Sequence, residues 1–245
     1  HKKKQIEVAE SLDGLATPIA SAIALQNILF WKLEYPVEKL GRMWMSASRY
    51  YWAKDLERGF LFHQKALQWA SANKERKIEI TLLRQAAYYA LQSEKASFAE
   101  ECIEKALKLT QIEGDLAQII DIQLEQSEIH LSKKRLASAV ECLRKIEGQS
   151  LSQTQELQLF GVQIRCFFIE KKFQSAYQLS LKARELALLT NRFQMGLDFG
   201  LLAIDCLGYL GKQELLQRLL KQQRKEAIQC NREKEWNALR EKWCE

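Results

Sequence analysis

Six cysteines and three histidines are the residues of this 245-residue chain with the most specific chemistry on offer, as metal ligands, nucleophiles or disulfide partners. Their spacing supports none of these roles. No Cys-x-x-Cys pair occurs, and Cys102 to Cys142 and Cys166 to Cys206 are each 40 residues apart, inside apolar helical stretches. Cysteines at equivalent places of a recurring unit read as small buried hydrophobes, free thiols of a reducing cytoplasm. His1, His63 and His130 are far apart in sequence. A lone imidazole on a predicted helix is a packing or surface residue far more often than a ligand. His-Glu-x-x-His, glycine-rich phosphate loops and Gly-x-Ser-x-Gly are all absent from the sequence, and no Ser or Cys has a base at a useful spacing. The expectation is a chain that is not an enzyme and carries no cofactor or metal.

Charge narrows the partner. The chain holds 37 Lys and Arg against 31 Asp and Glu, a net charge of +6. Both signs are interspersed along most helices, which describes solvated faces and argues against a nucleic-acid stripe. No apolar run is long enough to cross a membrane, and the longest, near Pro18 to Trp31, is broken by Ser21, Gln26 and Asn27. The start of the chain lacks a signal-peptide pattern, so a cytoplasmic location without membrane insertion is expected.

The elements that position any site follow from a period. Gly59, Ala99, Ala139, Ala176 and Leu216 stand 40, 40, 37 and 40 residues apart. Each opens a helical run, and the chain has only two prolines and ten glycines among strong helix formers. Self-similarity at such a period marks units that cannot bury their apolar faces alone and stack on their neighbours. The stretch Ile80 to Glu113 illustrates one unit. Its first helix carries Leu83, Ala86, Ala87 and Ala90 at helical spacing, and its second carries Ala99, Ile103 and Ala106. Small residues at Ala87 and Ala99 allow the two helices to approach closely.

This unit resembles a tetratricopeptide repeat, with small residues at the eighth and twentieth positions and alanine at the twenty-seventh, though the Trp-Leu-Gly opening is missing. Ala47 with Gly59, Ser127 with Ala139, and Ala176 with Ala183 continue the pattern, and Leu216 stands where a small residue is expected. The long spacing is similar to that of bacterial regulator sensor domains, G-protein-signalling modulators and kinesin light chains. The resemblance implies an all-α fold, a right-handed superhelical solenoid of antiparallel helix pairs. A single repeat domain is expected over 1–245: a partial repeat or cap over 1–39, about five repeats over 40–228, and a capping helix over 229–245. The last segment places Trp236, Leu239 and Trp243 on one helical face, which could also dock a partner.

In this superfamily the first helix of each unit lines a concave surface. Carried onto this chain, its binding residues are Trp44, Ser48 and Tyr51, then Arg84 and Tyr88, then Glu128, then Arg165 and Phe168, then Asp205. Aromatic anchors with fixed charges suit an extended peptide or a partner helix. Only Arg84 matches in type the residues with which the chaperone-tail subclass clamps a terminal carboxylate. A protein or peptide scaffold is the leading expectation. The alternative is the sensor domain of a larger bacterial regulator, binding a small molecule or signalling peptide and acting on an effector domain of the same full-length chain.

Overall fold

Leu, Ala, Glu, Lys, Gln and Arg lose little side-chain freedom in a helix, and they dominate a sequence with almost no breakers. Helices accordingly account for nearly all of the computed structural model, which describes residues 2–13, 17–31, 34, 36–52 and 54–244. His1 and the side chain of Cys244 lie outside the described set. Thirteen helices and no strand occur among the described residues: α1 (Lys2–Asp13), α2 (Pro18–Trp31), α3 (Val37–Trp52), α4 (Leu56–Ala72), α5 (Arg76–Gln92), α6 (Ala96–Glu113), α7 (Leu116–Ser132), α8 (Leu136–Arg144), α9 (Gln153–Ile169), α10 (Phe173–Leu189), α11 (Phe193–Tyr209), α12 (Gln213–Gln229) and α13 (Glu233–Cys244). The chain is an all-α helical-repeat protein.

The period has a direct cause. Helices α4, α5, α7, α9, α10, α11 and α12 are each 17 residues long. Links of two or three residues join most neighbours, so the extra length over a 34-residue repeat lies in the helices. The turns share one geometry. Lys74, Glu94, Lys134, Lys171, Asn191 and Asn231 take left-handed backbone conformations with φ between 56° and 59°. The next amide then reaches back into the preceding helix, as in Lys95 N–H to Ala90 O, Arg135 to His130, Lys172 to Phe167 and Arg192 to Ala187, all at 2.8 Å. These bonds satisfy carbonyls that a helix end would otherwise leave open.

One step departs from the rule. Helix α8 has 9 residues, the link passes through Gly148 at φ 76°, and Ser152 restarts the next helix with a capping box to Gln155. The 37-residue interval in the sequence is this shortened unit.

The molecule consists of two compact units, residues 1–122 and 123–245, with the boundary inside α7. In the first, consecutive helices from α1 to α6 pack as neighbours; in the second, the same holds from α8 to α13, and α13 also packs on α11. The small-residue positions are core in both units. Ala47, Ala87, Ala99, Ser127, Ala139, Ala176 and Leu216 are all buried, and the Ser127 hydroxyl lies 3.3 Å from the Ala139 carbonyl of the paired helix. From α9 onward Ile164 and Ile204 take the small residue's place on the first helix, and both are fully buried. Helix α13 begins 40 residues after α11 and so takes the place of a first helix.

Candidate binding surface

The expected binding residues sit on α3, α5, α7, α9 and α11, the first helix of each successive pair. In the first unit they have different fates. Trp44 is half-buried between two core clusters, with the Lys65 ammonium 5.9 Å from its ring centroid. Ser48 is fully buried, and its hydroxyl donates to the Met45 carbonyl at 2.9 Å. Tyr51 is 5% exposed, and its hydroxyl accepts from Gln26 Nε2 at 2.6 Å. Ser48 thus offers nothing to a ligand. Arg84 extends to α7 and pairs with Asp121 at 3.4 Å. Tyr88 stands out at 60% exposure, set edge-on against Tyr89, whose ring stacks on Trp52 at 4.3 Å.

In the second unit the charged candidates are joined to neighbouring helices. Glu128 of α7 accepts from Arg165 of α9 at 2.8 Å. Asp205 of α11 accepts from Lys242 at 2.6 Å and from the Trp243 indole at 2.9 Å, both on α13. Phe168 meets Phe173 and Tyr209 edge-on, Phe173 and Tyr209 stack at 4.5 Å, and Trp243 closes on Tyr209 at 4.9 Å. This aromatic row crosses from α9 to α13 and leaves Tyr209 49% exposed.

Asp121, Phe173, Tyr209 and Lys242 complete these contacts and were not among the sequence-derived site residues, whereas Trp243 was expected on the face of the capping helix. A signal for them existed. Arg84 and Asp121, Glu128 and Arg165, and Asp205 and Lys242 are opposite charges each separated by 37 residues. That is the spacing at which first helices of successive pairs meet.

Burial sets the chemistry of the remaining reactive groups. His63 is 3% exposed beside Trp52, and desolvation lowers its pKa to about 4 against an opposing pull from the Leu82 backbone. The thiols of Cys102, Cys142, Cys166 and Cys206 are free and buried. Burial pushes Cys102 up to about 11 and Cys206 up to about 12, so thiolate chemistry at neutral pH is suppressed at both. Among the described residues no group of His, Cys, Asp and Glu is arranged to hold a metal ion.

The described residues form a largely apolar hollow in each unit. One, of about 730 Å³, lies in the first unit against Val8, Ile23, Leu29, Tyr51, Arg58 and Leu61. The other, of about 480 Å³, lies where α8 is cut short, between the link around Gly148 and the Leu159, Gln163 and Cys166 face of α9.

No protein-family model matches the chain, and neither does any curated protein. Solved structures do. A Podosopora anserina protein described as a kinesin light chain with nearly identical TPR-like repeats superposes with a TM-score of 0.61 at 16% identity, over 82% of this chain and 99% of the other. BtubC (BKLC) from P. vanneervenii superposes with a TM-score of 0.58 at 11% identity, over 94% of this chain and 91% of the other. At these identities the likeness concerns the fold: the chain has the fold of TPR-like repeat proteins.

Proposed function

We propose that the chain is a noncatalytic interaction scaffold that holds an extended peptide or a segment of a partner protein against its first helices. Tyr88 carries this reading. It is a large aromatic side chain left 60% exposed on a first helix, with its backing fixed by Tyr89 and Trp52. A rigid aromatic anchor loses little side-chain entropy on binding and gives up much apolar surface to water-free contact. Tyr209 of the second unit is likewise left 49% exposed, stacked on Phe173 with Phe168 beside it. Arg84, Glu128, Arg165 and Asp205 then act by holding successive first helices in register and by presenting their remaining hydrogen-bonding capacity to a ligand backbone. A reducing, cytoplasmic setting fits the buried free thiols.

The test compares Tyr88→Ala with Glu101→Ala and Lys105→Ala, which change exposed residues of the second helix α6. Titration calorimetry of a partner recovered with the wild-type chain should show a loss of about 2 kcal/mol or more for Tyr88→Ala and under about 1 for the other two. A loss confined to the α6 variants would put the partner on the other face.

A second reading, a sensor domain for a small molecule or signalling peptide within a larger regulator, is favoured by the 480 Å³ hollow beneath the shortened α8. A helix-turn-helix or nucleotide-binding domain encoded in the same full-length chain would support it. A repeat array alone would support the scaffold.

A further inference from the structure

Several cations of the second unit are matched by carboxylates: Arg165 by Glu128, Arg184 by Glu226, Arg232 by Asp198 and Glu235, and Lys242 by Asp205. The crevice between α12 and α13 is different. Its volume is about 420 Å³, and it is lined by Gln217, Arg218, Leu220, Lys221, Arg224, Trp236 and Arg240, with no carboxylate. None of the acids of the two helices, Glu214, Glu226, Glu233, Glu235 and Glu241, lines it. Glu226 is engaged by Arg184, Glu235 by Arg232, and Glu214 by Arg218 of the crevice wall at 3.6 Å.

The floor is fixed. Trp236 is 6% exposed, and its indole donates to the Leu220 carbonyl at 3.0 Å. The guanidinium groups of Arg224 and Arg240 both lie over its ring, 5.8 and 5.7 Å from the centroid. Two cations gathered on one ring, with Lys221 on the same wall, repel one another until an anion enters. An incoming carboxylate would meet preorganised donors whose stems already pack on the indole.

We infer that this crevice is a docking site for an acidic segment of a partner protein, apart from the first-helix face described above. Carboxylates of the segment pair with Lys221, Arg224 and Arg240, and an apolar side chain between them packs on the exposed aliphatic stems of Arg224 and Arg240, since Leu220 and Trp236 are themselves buried. The dimensions fit a peptide. From Arg218 to Arg224 the wall runs about 9 Å along α12, the length of about three residues of extended chain. A polynucleotide would need the basic surface to continue, and beyond the crevice the charges alternate in sign.

The experiment uses the full chain and a fluorescein-labelled glutamate-rich peptide with one central leucine, read by fluorescence anisotropy. The glutamine-for-glutamate version of the peptide and a single-stranded oligothymidylate serve as competitors. Binding should be saturable and weakened by added salt, and Arg224→Gln together with Arg240→Gln should reduce affinity about tenfold or more. Lys221→Gln alone should give a smaller loss, and Tyr88→Ala should change nothing, which separates this site from the first-helix face. Far-ultraviolet circular dichroism establishes that the variants fold; should the double variant unfold, the Lys221→Gln and Arg218→Gln losses decide. The inference is overturned by absent binding, by equal binding of the neutral peptide, by affinity unchanged in the crevice variants, or by displacement by the oligonucleotide as efficient as that by unlabelled acidic peptide.

Discussion

At the scale of single residues, burial governs what the titratable groups do. His63 is packed against Trp52 and stays neutral until its pKa of about 4, whereas the unfolded chain takes up that proton near 6.5. Its contribution to stability is therefore complete above pH 6.5 and is lost progressively as the pH falls towards 4, amounting to about 3 kcal/mol there. Thermal melts across that window should fall steeply for the wild type and less steeply for His63→Phe; parallel curves would sink the assignment. The thiols obey the same rule. Cys102, Cys142, Cys166 and Cys206 are buried and Cys230 is half-exposed, so alkylation of the native protein followed by peptide mass mapping should label Cys230 first among these five. Faster labelling of Cys206 would show that its helix opens readily.

Helix pairs depend on residues too small to notice in a composition. A side-chain carbon at Gly208 of α11 would lie 2.2 Å from the Trp243 ring of α13, and one at Gly41 of α3 would lie 2.0 Å from the Trp69 ring of α4. Both glycines act as seats for an indole on the neighbouring helix. Gly208→Val should displace Trp243, release its hydrogen bond to Asp205, and lower the denaturant midpoint by an amount corresponding to about 1–3 kcal/mol. An unchanged midpoint would mean that α13 does not rest on α11 through this contact. The glycine residues were visible in the sequence, yet their partners lie 35 and 28 residues further along the chain, and only packing identifies them.

For the whole molecule, a helical-repeat chain distributes its stability over neighbouring contacts. Ala99 is fully buried between α5 and α6, and Ala99→Leu should overpack that contact by about 1–3 kcal/mol. Hydrogen exchange followed by mass spectrometry should then show faster exchange in α5 and α6, with the protection of α10 to α12 in the second unit nearly unchanged. Loss of protection throughout would indicate one cooperative fold in place of near-neighbour coupling.

The sequence determined the repeat by itself. Helix-forming composition and small residues every 40 positions predicted a helical-repeat fold, because backbone propensity and apolar periodicity are local quantities; that the single 37-residue step is the shortened α8 came from the tertiary structure. It also placed the nine expected site residues on α3, α5, α7, α9 and α11. What each of them faces was decided by tertiary structure. Ser48 and Tyr51 were drawn into the core, Arg84, Glu128, Arg165 and Asp205 were joined to charges one repeat away, and Tyr88 was left exposed. Periodicity fixes a residue's angle around its own helix. Exposure depends on the packing distance and on the residue presented by the next helix, and that residue lies tens of positions away in the chain. The crevice of α12 and α13 shows the same division: its arginines can be counted in the sequence, and only the fold gathers them on one indole.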